Sequence, residues 1–240
     1  MPLSPEPPFS ASRLDADSPR GLPRSTAAAA SFLLGLFALL TLLVVDGWEP
    51  LRAADLRVTT ALHGYALDHP GWVRAMIAVS AVFGPNCQRV AAGLLVVWLL
   101  VRGRRRPALW VAVTMTAGGL LGLAFRLLVR RHRPDLPDPV AHAWGYAYPS
   151  GHALNAVLGA GVFLVVLLPF TRGRPGRRVV LCVVAAAVAV LTGVSRVALG
   201  VHWTSDVVGG WVLGAAVVVA STAGLTAAGT RRGYPAAGSR

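Results

Sequence analysis

Apolar residues gather in six long runs, at Ala27–Val45, Arg89–Val101, Ala108–Phe125, Ala153–Leu168, Val179–Val194 and Val207–Leu225, each bounded by arginine, proline or glycine. Most of them approach the roughly 20 residues that an apolar helix needs to cross a bilayer. The pattern predicts an all-α fold, a bundle of six transmembrane helices. The second run is short, and Gly71–Phe83 just before it is expected to extend or brace it. Between the first two runs, residues 50–69 set Leu51, Leu56, Val58, Leu62 and Leu67 among arginines and acids, which reads either as an interfacial amphipathic helix or as an ordinary loop. Residues 1–26, rich in proline and without apolar periodicity, are expected to be a disordered cytoplasmic tail, with residues 27–228 forming the transmembrane domain and 229–240 a second tail. The N-terminal stretch lacks the features of a cleaved secretory signal, so the first run is expected to remain as an anchor.

Composition agrees with a bilayer as solvent: 55% of residues are hydrophobic and only 14% charged, against about a quarter charged in soluble domains. The net charge of +13 could suggest a nucleic-acid partner, but its distribution points elsewhere. Arg102, Arg104, Arg105 and Arg106, then Arg172, Arg174, Arg177 and Arg178, then Arg231, Arg232 and Arg240 all fall on the side of the N-terminus if the chain crosses six times. Arginine-rich short loops mark the cytoplasmic face. Asp46, Glu49, Asp55, Asp68, Asp135, Asp138 and Asp206 fall on the other face, so a multi-pass cell-membrane protein is expected, with no nucleic acid among its partners. Cys87 and Cys182 are expected on opposite sides, which argues against a disulfide between them, and they carry no metal-site spacing.

Three polar segments interrupt the apolar pattern on the outer side, so topology alone lets them converge. The first runs from Arg126 to Pro134, the second is Pro149-Ser150-Gly151-His152, and the third runs from Ser195 to Asp206. Arginine offers a permanently charged planar fork of donors that fits phosphate oxygens, which makes Arg126, Arg133 and Arg196 candidate anion ligands. Arg130 and Arg131 read instead as interfacial anchors. Ser150 can cap the helix that follows, and Gly151 lets an anion approach the N–H groups at the helix start. His202 and Asp206 are four residues apart and share a face if the chain there is helical. A carboxylate on one ring nitrogen would fix the tautomer and leave the other nitrogen able to attack. The outer acids do not cluster and His132 is flanked by arginines, so neither a metal nor another cofactor is expected.

Arg126 followed by Arg133-Pro134, then Pro149-Ser150-Gly151-His152, then Ser195-Arg196 with His202 and Asp206, resembles the signature of the type 2 phosphatidic acid phosphatase family, relatives of the vanadium haloperoxidases. Arg126 stands where that family usually has lysine, which keeps the charge but changes reach and donor geometry. The resemblance covers roughly Arg89 to Leu225. It implies a lipid phosphate phosphatase with its active site at the outer membrane boundary. His202 would attack phosphorus, Asp206 orient it and His152 protonate the leaving group. Arg126, Arg133, Ser150, Gly151 and Arg196 would hold the phosphate oxygens. Undecaprenyl pyrophosphate, phosphatidic acid and phosphatidylglycerophosphate all fit as substrates. A phosphotransferase using the same site, or a lipid or anion transporter, are the rival readings.

Overall fold

The computed structural model of the chain describes residues 22–230, and its regular elements there are all helical. In chain order they are α1 (Leu22–Asp46), α2 (Glu49–Asp68), α3 (Pro70–Val82), α4 (Pro85–Val101), α5 (Arg105–Val129), α6 (Gly151–Leu167), α7 (Pro175–Ala198) and α8 (Thr204–Thr230), with a short 3-10 turn at Leu168–Thr171 after α6. Among the described residues, six segments are long and apolar enough to cross a bilayer: Ser25–Asp46, Pro70–Val101, Arg105–Val129, Gly151–Thr171, Pro175–Ala198 and Thr204–Ala223. The protein is therefore a multi-pass membrane protein with a helical bundle. Of the expected tails, residues 1–21 and 231–240 lie outside the described residues, while α1 already begins at Leu22 and α8 continues to Thr230.

A helix that is apolar on every side belongs at the centre of a bundle, and α6 is that helix. Leu154, Leu158 and Val162 are fully buried along it, and α4, α5, α7 and α8 all pack against it. Lipid tails are as apolar as leucine, so these helices are held by close packing rather than by escape from water. Glycines four residues apart make that possible. Gly210 and Gly214 bring α8 onto the backbone of α6, where a Cβ would press on the carbonyl oxygens of Ser150 and Leu154; Gly118 and Gly122 of α5 receive Leu158 and Leu154. The start of α6 is thereby locked against the start of α8.

The chain breaks between Gly71–Phe83 and the second apolar run. Pro85 follows Gly84 at the head of α4, and proline is tolerated at a helix start but not within one, so α3 and α4 are separate helices joined through Phe83-Gly84. As well as lengthening the segment that continues into α4, Pro70–Val101, α3 braces the end of α7, where Met76 packs with Ala198, Leu199 and Val201. Residues 50–69 resolve as a helix: α2 lies against α7 and α8, burying Asp55, Thr59, His63 and Ala66 on one side.

Candidate active site

The residues singled out from the sequence meet at one end of the bundle. Arg126 comes from the last turn of α5, Ser150, Gly151 and His152 from the start of α6, Arg196 from the last turn of α7, His202 from the turn into α8, and Asp206 from the first turn of α8. Arg133 reaches in from the irregular segment between α5 and α6. His152 has Arg196, His202, Arg133 and Arg126 as electrostatic neighbours, all of them basic.

His202 precedes α8, so its contact with Asp206 does not arise from a shared helical face. Gly200, at a φ of +67°, turns the chain after α7, a conformation glycine adopts without steric cost. Asp206 then accepts the Trp203 N–H at 2.9 Å through Oδ2, the reciprocal half of a capping box. The same oxygen lies 3.3 Å from His202 Nδ1. On the other side of the ring, Arg133 Nη1 lies 3.0 Å from Nε2. A guanidinium can only donate, so Nε2 accepts and the ring proton sits on Nδ1, facing Asp206. Burial pushes the His202 pKa down to about 4, with Arg133 and Arg196 acting in the same direction and the Asp206 hydrogen bond and charge opposing it. The imidazole is neutral at pH 7, with its lone pair turned toward the arginines.

Arg133 is a clamped residue. Its Nε donates to Gly145 O at 2.9 Å, Nη2 to the carbonyls of Trp144 at 3.1 Å and Tyr146 at 3.3 Å, and Nη1 to Val201 O at 2.6 Å. With every other donor spent on loop carbonyls, one N–H is aimed at His202 Nε2. Burial lowers its pKa while Asp206 opposes the shift.

Ser150 occupies the cap position of α6, yet its hydroxyl makes no capping bond. Its Oγ is buried without a partner, as is Arg196 Nε, while Arg196 Nη1 donates to Ser80 Oγ at 2.6 Å. Buried polar groups are normally paired; two donors left unpaired at this end of the bundle suit an anion. Arg126 Nη1 lies against Gly151, where any side chain would collide with it. The absence of a Cβ there opens the helix start to the guanidinium and to an anion alike. Among the described residues no three His, Cys, Asp or Glu side chains are grouped so as to hold a metal ion.

Arg131 departs from the expected anchoring role. It donates to Asp206 Oδ1 at 2.6 Å and to Asp55 Oδ2 at 2.8 Å, linking the carboxylate behind His202 to α2. Like Arg126, Arg131 is an arginine on the face where topology gives no reason for one, so its sequence signal is the same. Asp55 carried no sequence signal beyond being an acid on the same face.

Residues 107–229 match the PAP2 superfamily. The chain belongs to that superfamily. Curated relatives include phosphatidylglycerophosphatase B of Bacillus subtilis, 40% identical over 98 residues, which is 40% of this chain and 46% of the relative. Undecaprenyl-diphosphatase of Sulfolobus acidocaldarius is 41% identical over 121 residues, 48% of this chain and 54% of that one. The chain thus spans about half the length of these two relatives. It matches decaprenylphosphoryl-5-phosphoribose phosphatase of Mycobacterium tuberculosis more extensively, with 30% identity over 170 residues, 68% of this chain and 86% of the relative. The crystal structure of a transmembrane PAP2 type phosphatidylglycerolphosphate phosphatase from Bacillus subtilis superposes with a TM-score of 0.71 over 87% of this chain and 98% of that one, at 22% identity. That likeness establishes a shared fold.

Proposed function

We propose that this PAP2 superfamily member is a membrane lipid phosphatase that works through a phosphohistidine on His202, facing the extracytoplasmic side. The observation that carries the reading is the state of His202. Its Nδ1 proton is directed at Asp206, and its Nε2 stays unprotonated, accepting from Arg133 Nη1, with Arg196 as a further basic neighbour. Attack by Nε2 on phosphorus expels the alkoxide or phosphate leaving group, to which His152 gives a proton; water then cleaves the phosphorus–nitrogen bond, with His152 as base. Arg126, Arg133, Arg196, Ser150 and the N–H groups at the start of α6 neutralise the phosphate oxygens, the main requirement of phosphoryl transfer. Three of the curated relatives are named as lipid phosphatases, two for prenyl-linked and one for glycerol-linked phosphates. Phosphate release from a panel of such lipids by the purified protein in vesicles tests the activity and ranks the substrates. No release from any lipid phosphate overturns the reading.

A place for the substrate's hydrocarbon lies next to this pocket. A cleft of about 430 Å³ between α4, α6 and α7 is lined by apolar side chains including Phe83, Ala91, Phe163 and Leu164. It adjoins the Phe83-Gly84 turn, and a Cβ on Gly84 would lie 3.5 Å from His152 Nε2. Filling it with Ala91→Trp is expected to lower kcat/KM for a long-chain lipid phosphate by about tenfold or more, the scale of a few lost methylene contacts. Turnover of a water-soluble aryl phosphate should change far less.

Arginine placement supports this orientation. A cysteine introduced at Ala141, in the segment between α5 and α6, is expected to react with impermeant thiol reagents applied to intact cells. One introduced at Gly103, between α4 and α5, is expected to react only after permeabilisation.

A further inference from the structure

We infer that Asp55 and Arg131 are positioning residues for the proposed reaction, setting both the orientation and the net charge of the carboxylate behind His202. The inference rests on the phosphohistidine reading above and adds to it a part that lies outside the three sequence motifs.

Arg131 splits its fork between two carboxylates. Nη1 donates to Asp206 Oδ1 and to Ser205 Oγ, each at 2.6 Å, while Nη2 donates to Asp55 Oδ2 at 2.8 Å. Asp55 in turn accepts the Ser205 N–H at 2.8 Å through Oδ1, and its Oδ2 also receives the Ser205 hydroxyl. Asp55 is 2% exposed and Asp206 fully buried, and the indole of Trp203 lies beneath the guanidinium, its ring centroid 5.7 Å from the guanidinium carbon. Asp206 is therefore fixed from behind through Oδ1, leaving Oδ2 for the Trp203 N–H and His202 Nδ1.

Charge gives this arrangement its meaning. When Nε2 bonds to phosphorus the ring becomes an imidazolium, which Asp206 stabilises only as far as its negative charge is not already cancelled. Arg131 alone would cancel it, because a guanidinium pairs with a carboxylate to give a neutral unit. Asp55 returns one negative charge, so the trio Asp55–Arg131–Asp206 carries −1, which matches the imidazolium. His202 is otherwise faced by basic groups, Arg133, Arg196 and His152, which gives that single negative charge its weight. Tying α2 to α8 is the purely structural alternative, and it makes different predictions.

The test is a double-mutant cycle on the full-length protein in detergent, with 4-nitrophenyl phosphate as substrate and kcat, KM and Tm recorded for each form. Asp55→Asn keeps the shape but leaves Arg131 unopposed. Its kcat is expected to fall by roughly tenfold to a hundredfold with KM little changed, the scale of one charge removed two side chains away in a partly buried setting. Arg131→Gln added to Asp55→Asn restores the net −1 though not the hold on Asp206 Oδ1, so the double variant is expected to regain part of the lost kcat even as its Tm drops further. A purely structural link predicts that kcat and Tm fall together and that the double variant is worst in both, and that outcome overturns the inference. Unchanged kcat in Asp55→Asn also overturns it. If Asp55→Asn does not fold, Arg131→Lys substitutes, since one ammonium cannot bridge both carboxylates in the same geometry; full kcat in Arg131→Lys then refutes the proposal. Failure of the wild-type protein to turn over any phosphate ester would instead strike the phosphatase reading, and the two failures are thereby distinguishable.

Discussion

His202→Ala is expected to lower turnover by on the order of ten-thousandfold or more for every substrate, lipid or soluble, while leaving substrate binding largely in place. The reason is geometric. In the pocket only His202 has one ring nitrogen backed by a carboxylate and the other presented, unprotonated, to the basic groups. The phosphate-holding groups survive the substitution, so KM should move little. The pH profile carries the same signature. A buried imidazole held down to about pH 4 loses its lone pair only as pH falls through that value, so the acid limb of kcat/KM due to His202 should sit near pH 4 rather than near 6.5, once the substrate's own ionisation is accounted for. Asp206 is the group that opposes the downward shift. Asp206→Asn should therefore move that limb lower still while reducing kcat.

His152→Ala is expected to show a loss that depends on the leaving group. Its position at the first turn of α6, with basic electrostatic neighbours and no carboxylate among them, fits a group that handles a proton at the substrate rather than one that attacks. A bound phosphate adds the negative charge that this set of groups lacks. General acid catalysis is worth about a hundredfold to ten-thousandfold. That loss should appear in full for a phosphatidate, whose alkoxide leaves poorly, and should shrink toward severalfold for an aryl phosphate or a pyrophosphate. Rates plotted against leaving-group acidity for wild type and variant check this, and parallel lines would contradict the role.

The fold was legible because a bilayer simplifies its grammar: long apolar runs must be helices, and arginine-rich short loops mark one side. What the runs could not show was how the helices meet. The glycines at positions 118, 122, 210 and 214 were visible at a spacing of four, yet their partners Leu154, Leu158 and the α6 backbone come from elsewhere in the chain. The break before the second run was written in Gly84-Pro85, and α3 turned out to support α7 because Met76 finds its partners there. At the candidate site, residues carrying a motif spacing were readable and the residues that hydrogen-bond to them from outside the motifs were not. Arg131 was passed over as an anchor because a run of arginines at a membrane boundary looks alike in sequence. Its distinction from Arg130 is a matter of direction: Arg130 turns back to the Leu127 carbonyl while Arg131 enters the bundle. Ser150 was expected to cap α6, and its hydroxyl is buried without a partner instead.

The central claim is that phosphorus passes through a bond to His202 Nε2. The most direct measurement is rapid acid-free quenching of the purified protein during turnover of a phosphate-labelled lipid, followed by mapping of the protein-bound label. The account predicts an acid-labile, base-stable label on the peptide that contains His202, present in wild type and lost in His202→Ala. Label on any other peptide, or label that persists in His202→Ala, would contradict it.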